Sequence, residues 1–259
     1  VIPPPLPREH GAWAWLLLPL VAGGAAAGGA NAPFILLAAG SLAAFVVRAS
    51  LELASRRLAH RRVYLVWAGL YTAVALLALA PLLAYYHRWA LLPIGATGSA
   101  ITLPVLLFRE LRYRWRAQGE LLVVASLALL APAAYHAATG DFDGRAAALW
   151  IPPALYGAGS VFYIRMLFEQ RRPTTSAANG GARSSAALYL AVLWSVIVPA
   201  ALLGALPTLV LVAFLPFTVK AALALARRTA VDDVRRTGIG EVLHATLFAA
   251  LLTTAHAVG

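Results

Sequence analysis

Arg48-Ala-Ser-Leu-Glu52-Leu-Ala-Ser-Arg56-Arg57 closes a run of 38 residues after Glu9 in which His10 is the sole ionisable side chain. A second run, between Arg183 and Lys220, is free of Asp, Glu, Lys and Arg for 36 residues. A membrane-spanning helix needs about 20 apolar residues, so each run has room for two spans and a turn. The turns are visible as Gly28-Gly29-Ala30-Asn31-Ala32-Pro33 and Gly204-Ala205-Leu206-Pro207. The apolar runs are solid rather than alternating, unlike the strands of a membrane β-barrel. The expected fold is therefore all-α, a polytopic membrane helical bundle.

Composition agrees. Of the 259 residues 61% are hydrophobic and 12% charged, about half the charged share of an ordinary soluble domain. A net charge of +11 would suggest nucleic acid in a soluble chain. Here the bases sit in short loops between apolar runs, so membrane topology accounts for them and no nucleic-acid partner is expected. The absence of cysteine excludes disulfides, thiolate metal sites and a cysteine nucleophile. The opening Val1-Ile-Pro-Pro-Pro-Leu-Pro has neither the basic n-region nor the cleavage pattern of a signal peptide. The first apolar run is therefore expected to remain as a span.

The hydropathy pattern predicts nine spans, at 12–28, 32–51, 63–82, 90–108, 119–138, 146–166, 185–203, 207–226 and 241–258, in one domain covering 1–259. With the N-terminus in the cytoplasm, the inward-facing segments are the N-terminus, 48–62, 109–118, 165–184 and 220–240. They carry 19 of the 21 Lys and Arg residues, leaving Arg88 and Arg145 outside. That asymmetry is the positive-inside rule. It predicts a multi-pass membrane protein with a cytoplasmic N-terminus and an external C-terminus.

The charged motif at the end of the second run returns 117 residues later as Arg165-Met-Leu-Phe-Glu169-Gln-Arg171-Arg172. Both copies read Arg-x-x-x-Glu followed closely by two arginines. Residues four apart share a helix face, so each copy presents a cation and a carboxylate together. Arg48, Arg56, Arg165 and Arg171 suit a phosphate or diphosphate, because the guanidinium fork matches its geometry. Glu52 and Glu169 are placed to bind a hard cation or to orient those arginines. The structural alternative is a self-neutralising pair at a helix end, stabilising by a few tenths of a kcal/mol. His10, in Arg8-Glu9-His10-Gly11-Ala12-Trp13, is a candidate hydrogen-bond donor to the same anion, or a cap on the first helix. Asp232-Asp233 is a candidate Mg²⁺ site or a solvated loop pair. Glu241-x-x-His244 has the spacing of a metal-ligand pair, without a second copy.

Arg8-Glu9-His10-Gly11-Ala12-Trp13, followed by a span containing Pro19 and Gly23, resembles the opening signature of the YwiC-like family of bacterial membrane proteins. The hydropathy pattern is similar over essentially the whole chain. The nine-span layout also resembles the UbiA-type intramembrane prenyltransferases, whose Asp-rich motifs at the cytoplasmic ends of spans 2 and 6 hold Mg²⁺ and an isoprenyl diphosphate. That likeness implies a UbiA-like bundle with Mg²⁺ at Glu52, Glu169 and Asp232-Asp233. The motifs depart from the pattern, since each site keeps one carboxylate and gains a cation.

The leading expectation is a cytoplasmic-side Arg/Glu pocket that binds an anionic, isoprenyl diphosphate-like lipid. Such a protein would have membrane lipids as partners and be a divergent prenyltransferase. The rival classes are a transporter or permease and a non-catalytic lipid-binding scaffold. Against the transporter, no span is expected to carry a central carboxylate or lysine, which coupled transporters need.

Overall fold

The computed structural model describes residues 10–56, 60–107, 116–170, 181–227 and 233–258, and among these there is helix and no strand. The helices are α1 (His10–Ala26), α2 (Ala32–Arg56), α3 (Arg61–Ala84), α4 (Leu91–Leu107), α5 (Arg116–Ala128) and α6 (Leu130–Thr139). They continue with α7 (Gly144–Ala148), α8 (Ile151–Gln170), α9 (Gly181–Leu202), α10 (Val210–Arg227) and α11 (Val234–Val258). Counting α5 with α6 and α7 with α8 as continuous segments, seven are long and apolar enough to cross a membrane. Trp13–Ala26 and Leu91–Val105 are equally apolar but shorter. The helical segments fall where the nine predicted spans lie.

The break between α5 and α6 has a local cause. Pro132 has no N–H to return to the Ala128 carbonyl, and the Leu129 amide instead bonds the Ser126 carbonyl at 3.2 Å. Gly140, at φ 91°, ends α6 in the left-handed conformation, and its amide bonds back to the His136 carbonyl. Glycine suits that backbone because it carries no Cβ to collide with the carbonyl. Pro152 and Pro153 sit in the first turn of α8, where a missing N–H leaves no bond unmade.

Two cores meet at α1. Leu16 and Leu20 pack with Leu37, Phe45, Leu82 and Ala133, while Leu18 and Ala22 pack with Tyr156, Phe214, Phe217 and Phe248. Residues two apart on a helix point in nearly opposite directions, so α1 is buried on both faces and forms the partition between them. It packs on α6 on one side and α11 on the other. Gly23 permits the first contact: a Cβ there would meet the Ala131 carbonyl oxygen. On the outside the usual burial rule is reversed. Val66, Leu76, Leu77, Leu188 and Leu203 are all well exposed, as the lipid-facing side of a membrane bundle requires.

Candidate functional site

A groove of about 490 Å³ opens in the N-terminal half. Its walls come from α2, with Leu37, Ser41, Ala44, Phe45 and Arg48, and from α4, with Leu91, Ile94, Gly95, Ser99 and Thr102. Leu79 and Leu83 of α3 add to the first wall, and Val123, Ser126, Leu127 and Ala133 form the floor. Along α2 the lining runs from Leu37 to Arg48, which at 1.5 Å per residue is about 16 Å.

The lining is graded along that length. Helix direction sets Leu37, Leu83, Leu91 and Ala133 at one end and Arg48, Thr102 and Val123 at the other. Among the described residues, Arg48 is the one charged residue on the wall. It is exposed at the groove's mouth and has no hydrogen bond or ion pair among the described residues. Beside it Thr102 donates to the Ser126 hydroxyl at 2.7 Å, and Ser126 donates to the Val123 carbonyl at 2.9 Å. Both hydroxyl protons are thereby engaged, and acceptor lone pairs remain. One end of the groove thus offers a guanidinium and hydroxyls, the other offers only hydrocarbon.

Of the other expected residues whose side chains are described, Glu52, Arg165, Glu169 and Asp233 are not part of the groove's lining. Arg165 is exposed on α8. Glu169 accepts the Ala182 amide at 2.9 Å and so caps α9, where a carboxylate is favoured by the unpaired amides and the helix dipole. Glu52 is half-buried on α2. His10 opens α1 and Arg56 closes α2, while Arg171 and Asp232 lie outside the described residues.

The carboxylates expected to hold Mg²⁺ do not gather among the described residues. Glu169 is engaged as the α9 cap. Asp233 accepts the Arg235 amide at 2.8 Å and, through its carbonyl, the Thr237 amide and hydroxyl, capping α11.

Sequence reasoning missed a second polar cluster. Lys220 Nζ lies 2.7 Å from Glu241 Oε1, and the Ser160 hydroxyl donates to Glu241 Oε2 at 2.8 Å. Lys220 also stands 4.4 Å from the centroid of the Tyr163 ring, within cation–π range. The Lys220 and Glu241 side chains are 13% and 15% exposed. This corrects the expectation that no span carries a central lysine or carboxylate. The α10 helix continues through Lys220 to Arg227, and α11 begins at Val234, before Glu241. In the linear chain each charge reads as the start or end of a loop. Neutralisation by a partner on another helix is what lets both stay inside. The Glu241–His244 metal pair is likewise replaced: Glu241 faces Lys220 and Ser160, and His244 Nδ1 lies 2.7 Å from the Gly240 carbonyl.

A helical bundle in which seven of the described helices are long and apolar enough to cross a membrane belongs to the class of multi-pass membrane proteins. The YwiC-like protein family model matches residues 6–135, just over half of the chain, and the chain belongs to that family. No curated protein and no solved structure matches. All of the groove's lining falls between residues 16 and 133, inside the matched region, whereas the Lys220–Glu241 cluster falls outside it.

Proposed function

We propose that this YwiC-like protein binds an anionic amphiphile, of which an isoprenyl diphosphate is the type, with its head at Arg48 and its tail along the groove. The observation that supports this reading is the grading of one cavity from a guanidinium that has no ion pair among the described residues to a largely hydrocarbon end. An arginine gives an anion charge-assisted hydrogen bonds, while the apolar lining takes the tail at about 25 cal/mol per Å² buried. The basic loops put the Arg48 end on the cytoplasmic side of a bacterial inner membrane. Binding is the function supported best. Prenyl transfer would further require neutralising a departing diphosphate, and one guanidinium supplies less charge than a Mg²⁺-loaded site.

Binding of farnesyl diphosphate to the purified protein, set against farnesol, tests the reading. The diphosphate is expected to bind more tightly than the alcohol. Arg48→Ala should weaken it by about tenfold or more, since a hydrogen bond to a charged group contributes about 1.5–3 kcal/mol. Gly95→Leu, where an added Cβ meets open space, should weaken diphosphate and alcohol alike by filling the groove. Equal affinity in wild type and Arg48→Ala would overturn the proposal.

A further inference from the structure

The groove has a long side as well as a mouth. Leu37, Phe45 and Ala133 of its lining are buried and lie deep. Ala44 and Arg48 of α2, and Leu92, Gly95 and Ser99 of α4, also line it but are exposed. Spacings of three and four residues keep each exposed set on one face of its helix, so they form two edges. α2 packs on α3 and α6, and α4 on α5 and α6, so the edges are joined through the floor.

Both edges run along apolar helix. Gly95 and Ser99 stand about 6 and 12 Å along α4 from Leu91, and Ala44 about 6 Å along α2 from Arg48. From Leu91 to Leu107, and from Ala32 to Val47, there is no Asp, Glu, Lys or Arg. The surroundings of such stretches are the hydrocarbon of a bilayer rather than water, so the slot between the edges opens on acyl chains. Gly95 brings no side chain to narrow it, and a Cβ there would meet open space.

At the Leu37–Leu91 end the walls are fastened. Asn31 accepts the Phe34 amide at 3.1 Å through Oδ1 and donates through Nδ2 to the Ala138 carbonyl at 2.8 Å. Arg88 Nε donates to the neighbouring Ala137 carbonyl at 3.0 Å. The turns leading into α2 and α4 are thereby both tied to the C-terminal end of α6, which belongs to the floor. The open length of the slot runs from this clasp toward Arg48.

We propose, resting on the groove reading above, that the slot between α2 and α4 is a lateral portal, through which a lipid already resident in the bilayer slides tail-sideways into the groove. A tail moving from acyl chains to the groove wall exchanges one apolar environment for another. A tail arriving through the mouth must first leave the bilayer for water, which the hydrophobic effect opposes. The head stays at the polar end throughout, where Arg48 receives it.

The test uses the full chain in lipid nanodiscs and its natural lack of cysteine. In Ala44→Cys/Ser99→Cys a flexible bismaleimide bridges the two edges, crossing the slot and leaving the Arg48 mouth open. The bridged protein is expected to load and release farnesyl diphosphate slower by about tenfold or more than the same variant capped with N-ethylmaleimide, at similar equilibrium affinity. Equal rates in bridged and capped protein would overturn the portal and assign entry to the mouth. A bimane on Ser99→Cys should lose emission to lipids with brominated acyl chains and not to iodide, and bound farnesyl diphosphate should restore it. Quenching by iodide and not by lipid would likewise overturn the portal. If wild type in detergent does not prefer farnesyl diphosphate to farnesol, the ligand assigned to the groove fails, and quenching by lipid still decides the slot.

Discussion

Arg48 and Lys220 are both cations on membrane helices, yet their surroundings differ in the one respect that decides what each can do. Arg48 lines a groove and has no counter-ion among the described residues. Lys220 is largely buried and is paired with Glu241. The stability consequences differ accordingly. Lys220→Met alone leaves a carboxylate in an apolar bundle and is expected to cost about 3–5 kcal/mol. Restoring neutrality with Glu241→Gln in the same chain should recover most of that loss. Thermal unfolding of the single and double variants, compared as a mutant cycle, measures the difference. If Lys220→Met unfolds at the wild-type temperature, the pair contributes little. The motif repeat carried less than its pattern promised, for a reason visible at Glu169: its carboxylate caps the helix that follows, a role local sequence does not announce.

Among elements, α1 has the most constrained position. Its apolar residues show no preferred face, which in isolation reads as a span exposed to lipid. Burial on both sides explains the same pattern, with Leu16 and Leu20 in one core and Leu18 and Ala22 in the other. The contact through Gly23 leaves no room for a methyl group, because the opposing atom belongs to the Ala131 backbone. Gly23→Ala is therefore expected to destabilise by about 1–3 kcal/mol, read as a lower unfolding temperature in detergent, whereas Gly69→Ala, where a Cβ meets open space, should be tolerated. An unchanged unfolding temperature for Gly23→Ala would show that α1 and α6 separate more easily than this packing implies. Arg88, one of two bases outside the inward-facing loops, also finds its explanation here. Its Nε donates to the Ala137 carbonyl at 3.0 Å, placing a cation at the C-terminal end of α6, where the helix dipole favours it.

For the molecule as a whole, the charge asymmetry of the loops predicts an orientation that labelling can read. The natural lack of cysteine makes single-cysteine labelling direct. Arg62→Cys and Arg235→Cys should be shielded from a membrane-impermeant maleimide in intact cells, and Arg145→Cys should react, with the reverse pattern showing an inverted bundle. The Lys220–Glu241 pair supplies the largely buried charges whose expected absence had counted against the transporter class. How much was legible beforehand depended on the range of the forces involved. Span number and position are set by the free energy of leaving water, which is summed residue by residue along the chain, so they could be read from runs such as the one ending at Arg48. Which side chains face one another is set by how helices distant in sequence pack, and no local pattern encodes that. The sequence alone therefore determined the helical membrane bundle and the basic ends of its spans. Only the tertiary structure decided that Arg48 meets a groove, that Glu169 meets a helix end and that Lys220 meets Glu241, because each depends on a partner brought close by packing rather than by the chain.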